Sequence, residues 1–170
     1  RKLNSEQYET AVADVQEKTI YRINNAEKKD YASLIEIWEA SVSHTHDFLT
    51  QQHIDELKPL ILAHYFDAVS LFCCKDNSGK IIGFIGVAGG NIEMLFVEPT
   101  FFAKGVGTLL INYAIDNLAA THVDVNEQNP KAQGFYLSRG FEQIGRSELD
   151  GQGKPFPLLH MRLAKVTEAD

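Results

Sequence analysis

The chain has 170 residues, of which 44% are hydrophobic and 23% are charged, which is typical of one soluble globular domain and excludes a disordered chain. Its 16 basic and 23 acidic side chains give a net charge of −7, which argues against a nucleic-acid partner because nucleic-acid-binding proteins present a basic face. The longest apolar run, from Ile81 to Gly90, is interrupted by glycines and is too short to span a bilayer. No secretion signal is visible either. We therefore predict a cytoplasmic protein without a membrane partner.

The first 18 residues are polar and poor in large apolar side chains. A weak helix-start signal, Asn4 followed by Gln7, predicts a surface helix from about residue 5 to residue 18. We expect residues 1–18 to be an accessory segment, residues 19–166 to form the folded domain, and residues 167–170 to be a tail.

The remaining pattern alternates between strand and helix signals. Asp30 and Thr50 are placed to cap the first two helices, and Pro59 is expected to kink the second. The adjacent cysteines Cys73 and Cys74 point to opposite faces of a strand, so we expect core residues and no disulfide between them. In chain order the predicted strands cover residues 19–23, 69–74, 81–87, 92–97, 122–125, 141–149 and 156–163, with helices after 30, 50 and 105 and over 130–138.

A glycine-containing turn follows the fourth strand, with the sequence Phe102-Ala103-Lys104-Gly105-Val106-Gly107-Thr108. Glycines let the backbone approach a ligand closely, and the first turn of the following helix offers N–H groups that lack partners within the helix. This arrangement suits a diphosphate, although a glycine pair by itself is more often a plain tight turn. The dinucleotide-binding fingerprint is excluded because Leu110 stands where a third glycine is required.

A second motif lies further along the chain, between Asn129 and Phe141. Asn129 is a good helix cap and Pro130 suits the first helical position. Ala132 and Tyr136 are four residues apart and therefore share one face of that helix.

With both motifs the sequence resembles the GNAT superfamily of acetyl-CoA-dependent N-acetyltransferases. The family's pyrophosphate motif, Gln/Arg-x-x-Gly-x-Gly/Ala, is matched from Phe102 to Gly107, with Phe102 standing where the family usually has Gln or Arg. Its later signature is matched at Asn129, Ala132, Tyr136, Gly140 and Phe141. Residues 125–129, 145–148 and 153–155 look like the bacterial YjaB-type subgroup.

The resemblance implies an α/β fold with a central mixed sheet of about seven strands, splayed between strands 4 and 5 and flanked by about four helices. It also implies acetyl-CoA as co-substrate, bound where these two strands separate. The implied contacts are Leu95, Phe96, Val97, Phe102, Ala103, Lys104, Gly105, Val106, Gly107, Thr108, Asn126, Asn129 and Tyr136.

The resemblance also implies two catalytic residues. Glu93 is the candidate general base, and its alternation against Ile92, Met94 and Phe96 places it on the opposite side of the strand from that apolar set. The alternative is a strand carboxylate without a catalytic role. Tyr136 is the candidate general acid toward the departing sulfur, or a side chain that only positions the thioester.

The acceptor side rests on fewer signals. His46 and Phe48 follow the first helix, in a segment that borders the acceptor pocket in the family, and Glu148 in the late hairpin is a candidate contact for a cationic amine. We expect His44 to have a capping or packing role and the strand residues His122 and His160 to pack. No residues have metal-ligand spacing, so no metal is expected.

The leading hypothesis is an acetyltransferase that moves acetyl from acetyl-CoA directly to a primary amine of a small molecule, peptide or protein in a ternary complex. One alternative is a non-catalytic module that senses acyl-CoA. Another is an acyltransferase with a different acyl donor or acceptor. A homodimer is possible, because dimers are common in the family.

Overall fold

The computed structural model describes residues 20–164, which form two compact units divided between Ala120 and Thr121. The predicted N-terminal helix over 5–18 and the predicted tail over 167–170 lie outside the described residues. That residues 19–166 form a single domain stays a prediction. Within the described part of the chain, no helix is long and apolar enough to cross a membrane.

The first unit is built on a four-stranded antiparallel sheet in chain order. Its strands are β1 (Arg22–Asn25), β2 (Ser70–Lys75), β3 (Ile81–Ala88) and β4 (Asn91–Val97). Its helices are α1 (Tyr31–Thr45), α2 (Gln51–Leu60) and α3 (Val106–Asn117).

Both faces of this sheet are covered. On one face Cys73, Phe84 and Met94 share a core with the buried residues of α1 and α2. On the other face α3 comes so close that a Cβ added at Gly83 would lie 3.0 Å from Cγ1 of Val106 and 3.3 Å from Cδ1 of Leu110. The two cysteines are free, as predicted, and burial raises the pKa of Cys73 to about 11 and that of Cys74 to about 12.

Local sequence signals explain most boundaries in this unit. Thr50 caps α2 as predicted, its side chain accepting the N–H of His53 at 3.2 Å. Past Pro59 the chain continues as a π-helical turn over Ile61–Tyr65, which is consistent with the proline disturbing the α-helical pattern. Asp30 precedes α1 as predicted, but its carboxylate accepts the N–H of Glu27 at 2.8 Å and makes no capping bond to α1. A 3₁₀ turn over Lys28–Asp30 uses that carboxylate instead.

The second unit is a three-stranded antiparallel sheet with one helix. Its strands are β5 (His122–Asn126), β6 (Phe141–Ser147) and β7 (Leu158–Leu163), with β7 in the middle, and its helix is α4 (Pro130–Ser138). The helix carries the buried Tyr136, and its bounds are those that the sequence predicts. One sheet face is apolar and carries the buried side chains of Val123, Val125, Phe141, Leu159 and Met161.

Candidate active site

Glu93 occupies an irregular position in β4. Gly86 of β3 pairs with Met94, whereas the next residue, Val87, pairs with Ile92. Glu93 is therefore the extra residue of a β-bulge, and its side chain is exposed. Because partners in adjacent strands share a face and Gly86 and Val87 face opposite sides, Ile92 and Met94 also face opposite sides. The predicted common face for Ile92, Met94 and Phe96 is wrong for Ile92, since the bulge shifts the alternation by one residue.

The C-terminal half of β4 keeps regular pairing, with Leu95 opposite Ile85 and Val97 opposite Gly83. The Phe96 ring packs against the ring of Phe84, with 5.6 Å between centroids. The Phe96 side chain therefore belongs to the core, and what this residue can offer a ligand is its backbone.

The glycine turn leads from β4 into α3. Ala103 has φ +61° and Gly105 has φ +87°, both in the left-handed region, and Gly105 is the residue that caps α3. Because Gly105 has no side chain, it makes no side-chain capping bond. The first-turn N–H groups of Val106, Gly107 and Thr108 have no acceptor within the helix. An anion with several acceptor oxygens fits such donors at the positive end of a helix.

The side chains of this turn contact other residues of the protein. Val106 is buried under β3, and the Lys104 ammonium lies 5.3 Å from the centroid of the Phe101 ring. The half-exposed Phe102 ring meets the His44 ring edge-on at 6.5 Å. His44 is exposed, and its Nδ1 lies 3.0 Å from the Ala40 carbonyl oxygen. A capping or packing role for His44 stays a prediction.

His46 and Phe48 are neighbours at the C-terminal end of α1, with 5.2 Å between ring centroids. His46 Nδ1 lies 2.7 Å from Oγ1 of Thr45. Burial lowers the pKa of His46 to about 4, which leaves its imidazole neutral at pH 7. His46 and Phe48 thus place two uncharged rings side by side, with the exposed Asp47 between them in sequence.

The shift at His46 predicts how stability depends on pH. The unfolded chain takes up a proton as the pH falls below 6.5, while the folded chain resists until about pH 4, so acid favours unfolding in this window. We expect the free energy of unfolding to lose about 2–3 kcal/mol from this group. Urea titrations at several pH values should show that His46→Gln removes this part of the pH dependence of the free energy of unfolding. His64→Gln, at an exposed histidine, should keep it. Equal slopes for the parent and His46→Gln would contradict the assignment.

In the second unit Asn129 caps α4, as the sequence predicts. Its Oδ1 accepts the N–H of Ala132 at 3.2 Å, and the residue is 8% exposed. Asn126, the last residue of β5, accepts the Asn129 N–H through its carbonyl oxygen at 3.0 Å. The two asparagines are thus adjacent at the junction of β5 and α4.

Tyr136 lies in an aromatic cluster on the buried side of α4. Its ring meets those of Phe135 and Phe141 at centroid distances of 5.3 and 5.6 Å, and 7% of the residue is exposed. Burial raises the pKa of the phenol above its ordinary value of 10.0. The hydroxyl is therefore protonated at neutral pH, as a proton donor must be.

The hairpin between β6 and β7 holds Glu148 and Asp150. The hydrogen bond to Glu127 raises the pKa of Arg146, and the charge of the exposed Glu148 adds a smaller increase. The Asp150 carboxylate accepts the N–H groups of Gln152 and Lys154, both at 2.9 Å, and so shapes the turn. Within residues 20–164 no group of three or more His, Cys, Asp or Glu side chains is arranged to hold a metal ion.

Comparison with known proteins identifies the family. The family model described as "Acetyltransferase (GNAT) domain" matches residues 41–165. The chain belongs to the GNAT acetyltransferase family. This confirms the predicted membership, and the enzyme is an N-acetyltransferase of the kind that acetylates an amine. The family uses acetyl-CoA.

Relatives and solved structures agree with this assignment. Peptidyl-lysine N-acetyltransferase YjaB of Salmonella typhimurium is 34% identical over 139 residues, covering 82% of this acetyltransferase and 95% of the relative. YjaB of Escherichia coli is 34% identical over 142 residues, covering 84% and 96%. The solution structure of apo YjaB from Escherichia coli superimposes with a TM-score of 0.78 at 33% identity, covering 86% of this chain and 99% of that one.

A more distant structure shares the fold. The PaiA N-acetyltransferase of Thermoplasma acidophilum, solved in complex with coenzyme A, has a TM-score of 0.65 at 16% identity over 85% of this chain and 99% of that one. These similarities confirm the predicted α/β fold of the GNAT type.

The sequence did not indicate every polar cluster of the acetyltransferase. His160 and His122 were expected to pack. His160 instead bonds Ser147 and Asp124, and His122 is exposed with Nδ1 2.8 Å from Oγ1 of Thr121. Both lie on the polar face of their strands, so the strand assignment is confirmed and the packing is not. The cluster around His160 joins residues of three strands. No residue spacing within a single segment of the sequence predicts it.

Proposed function

We propose that this acetyltransferase transfers the acetyl group of acetyl-CoA directly to the side-chain amine of a lysine in a peptide or protein. The lysine acceptor is suggested by the names of the YjaB relatives. The single observation that supports acetyl-CoA as the donor is the start of α3, where Gly105 in the left-handed region presents first-turn N–H groups without a side-chain cap.

The proposed donor contacts are those that the family resemblance implies. The backbone of residues 103–108 would bind the diphosphate, and the backbone of Leu95, Phe96 and Val97 would bind the pantetheine arm. Asn126 and Asn129 would also bind the arm. Because the Asn129 carboxamide oxygen caps α4, its Nδ2–H groups would be the donors to the arm. Phe102, engaged with His44, would contribute no hydrogen bond to the phosphates, unlike the Gln or Arg usual there.

The proposed chemistry needs two proton transfers. A lysine ammonium of pKa about 10.4 must lose a proton before it attacks, which costs about 4.6 kcal/mol at pH 7. The exposed Glu93 carboxylate, turned out of the ladder by its bulge, would take this proton. The Tyr136 phenol would donate its proton to the departing thiolate. The uncharged rings of His46 and Phe48 would line the acceptor pocket. Glu148 would attract the cationic amine of the acceptor.

The base role of Glu93 is tested by its pH dependence. We expect Glu93→Gln to lower kcat/KM for a lysine peptide about 10²-fold at pH 7, because general base catalysis typically contributes about 10²–10⁴-fold. The loss should shrink toward pH 10, where about a third of an amine with a pKa of about 10.4 is already neutral. Glu36→Gln, at an exposed carboxylate of α1, is the matched control and should behave like the parent. An unchanged pH profile in Glu93→Gln would remove Glu93 from the mechanism.

The acceptor class is tested by measuring thiol release from acetyl-CoA with lysine peptides, peptides whose lysines are dimethylated, and small polyamines. The proposal predicts turnover with free lysine side chains and none after dimethylation, with the acetyl group located on Nζ by mass spectrometry. If only the polyamines are acetylated, the acceptor is a small amine and the proposal of a peptide lysine is wrong. Binding of acetyl-CoA without turnover of any amine would favour the acyl-CoA sensor.

A further inference from the structure

A second polar cluster lies on the sheet of the second unit, on the face opposite its buried side chains. Asp124 of β5 pairs with His160 of β7, so their side chains lie side by side on that face. Ser147 of β6 pairs with Leu158, two residues before His160, and therefore shares the same face.

The three side chains form a continuous hydrogen-bonded chain. Oδ1 of Asp124 lies 2.6 Å from Nδ1 of His160, and Nε2 of His160 lies 2.6 Å from Oγ of Ser147. An ionised carboxylate only accepts, so Nδ1 carries the hydrogen. In the neutral imidazole Nε2 is then the acceptor, and the Ser147 hydroxyl donates to it. This is the order in which a nucleophile, a base and an orienting carboxylate are connected in serine hydrolases.

The backbone of β6 passes beside the histidine ring at a bulge. Gln143 pairs with Met161 and Gly145 with His160, so Ile144 is the extra residue of a bulge. A Cβ added at Gly145 would lie 3.6 Å from Cδ2 of His160, an ordinary contact distance, so the ring lies beside this glycine with room for a methyl group between them. The ring is held at Nδ1 by Asp124 and at Nε2 by Ser147.

Solvent reaches this chain of groups. The side chains of His160 and Asp124 are 34% and 43% exposed, and Ser147 is half-buried. A small electrophile can therefore approach the hydroxyl from outside without any opening of the sheet.

We propose that Ser147 is an activated nucleophile that accepts an acyl group from carboxylic esters or thioesters and releases it to water. Oγ attacks the carbonyl carbon and its proton passes to Nε2 of His160. The bond from the carbonyl carbon to the alcohol or thiol breaks, and the leaving group takes the proton from Nε2. Water then attacks the seryl ester and gives its proton to Nε2. The bond from the carbonyl carbon to Oγ breaks, Oγ takes the proton back from Nε2, and the carboxylic acid leaves. Asp124 keeps the ring in the required tautomer. This activity goes beyond acetyl transfer to an amine and uses neither Glu93 nor Tyr136.

The test uses the whole enzyme and p-nitrophenyl acetate, without acetyl-CoA, so that its outcome does not depend on the proposed function. We expect p-nitrophenolate release about 10²-fold or more above that of Ser147→Ala, because an aligned general base contributes about 10²–10⁴-fold. Peptide mapping of the acid-quenched enzyme should place an acetyl group on Ser147. This ester should be removed by hydroxylamine, whereas acetylated lysines resist it.

The variants separate catalysis from a purely structural tie between strands. His160→Asn and Asp124→Asn should lower acetylation of Ser147 at least 10-fold, and Ser147→Cys should restore an acylated side chain. Ser138→Ala is the matched control. The exposed Ser138 hydroxyl donates to the Phe135 carbonyl oxygen at 2.6 Å and not to a histidine. The proposal is overturned if the parent's Ser147 carries no hydroxylamine-sensitive acetyl group, or if Ser147→Ala folds and hydrolyses the ester at the parental rate.

Discussion

Replacing Tyr136 by phenylalanine should lower the turnover of lysine-peptide acetylation by about 10²–10³-fold while changing the affinity for acetyl-CoA less than about threefold. The phenol is buried between Phe135 and Phe141, and its raised pKa keeps it protonated throughout the working range. Phenylalanine preserves both ring contacts and removes only the donor. Initial rates at saturating acetyl-CoA give the turnover, and equilibrium titration gives the affinity.

A second buried tyrosine provides the control for Tyr136→Phe. Tyr113 of α3 is 8% exposed, packs against the Phe72 ring at 4.9 Å, and has a pKa raised by burial. Tyr113→Phe therefore removes a comparable hydroxyl from a residue that has no proposed part in the reaction. If Tyr113→Phe loses as much turnover as Tyr136→Phe, or if Tyr136→Phe loses turnover and affinity equally, the acid role is contradicted.

Replacing Gly105 by valine should cost both stability and acetyl-CoA binding. A β-branched residue at φ +87° is strained by about 1–3 kcal/mol, and relief of that strain moves the N–H groups at the start of α3. At 100 times the dissociation constant, acetyl-CoA should stabilise the parent by about 2.7 kcal/mol. At the same concentration a variant that binds 30-fold more weakly gains only about 0.9 kcal/mol. Thermal unfolding with and without acetyl-CoA measures both effects.

Gly79 provides the control for Gly105→Val. It has φ +84° in the hairpin between β2 and β3, and a Cβ added there meets nothing within 4 Å. Gly79→Val should therefore carry a similar backbone strain and keep the full stabilisation by acetyl-CoA. A Gly105→Val variant that is stabilised as much as Gly79→Val would show that the diphosphate does not bind at the start of α3.

Elements defined by their own end signals could be predicted from the sequence. The helix Pro130–Ser138 is bounded by a capping asparagine, a proline in its first turn and Gly140 after its end, and it occurs as predicted. The first strand is less accurate, because Arg22–Asn25 replaces the predicted 19–23. Asn24 and Asn25 have little preference for strands and pair with β2 through tertiary contacts that no local pattern contains.

The candidate site was predicted where one short segment carries the signal. The turn at Gly105, the cap at Asn129 and the placement of Tyr136 on the buried face of α4 follow from local spacing. The two bulges do not follow from local spacing. The residues before and after each bulge still alternate between the two faces of the sheet, so the sequence does not show where the extra residue lies. The contact of Phe102 with His44 and the chain from Asp124 to Ser147 join residues far apart in sequence, and only the folded chain shows them.

The bulge in β4 has a consequence for how the length of this strand can vary. Ile92 and Met94 each keep a partner in β3, so the ladder on both sides is complete without Glu93. A chain that lacks this one residue would keep the cross-strand pairs of β3 and β4. Deletion or insertion of a single residue can therefore remove or restore the carboxylate proposed as the base without a change in the pairing of the sheet.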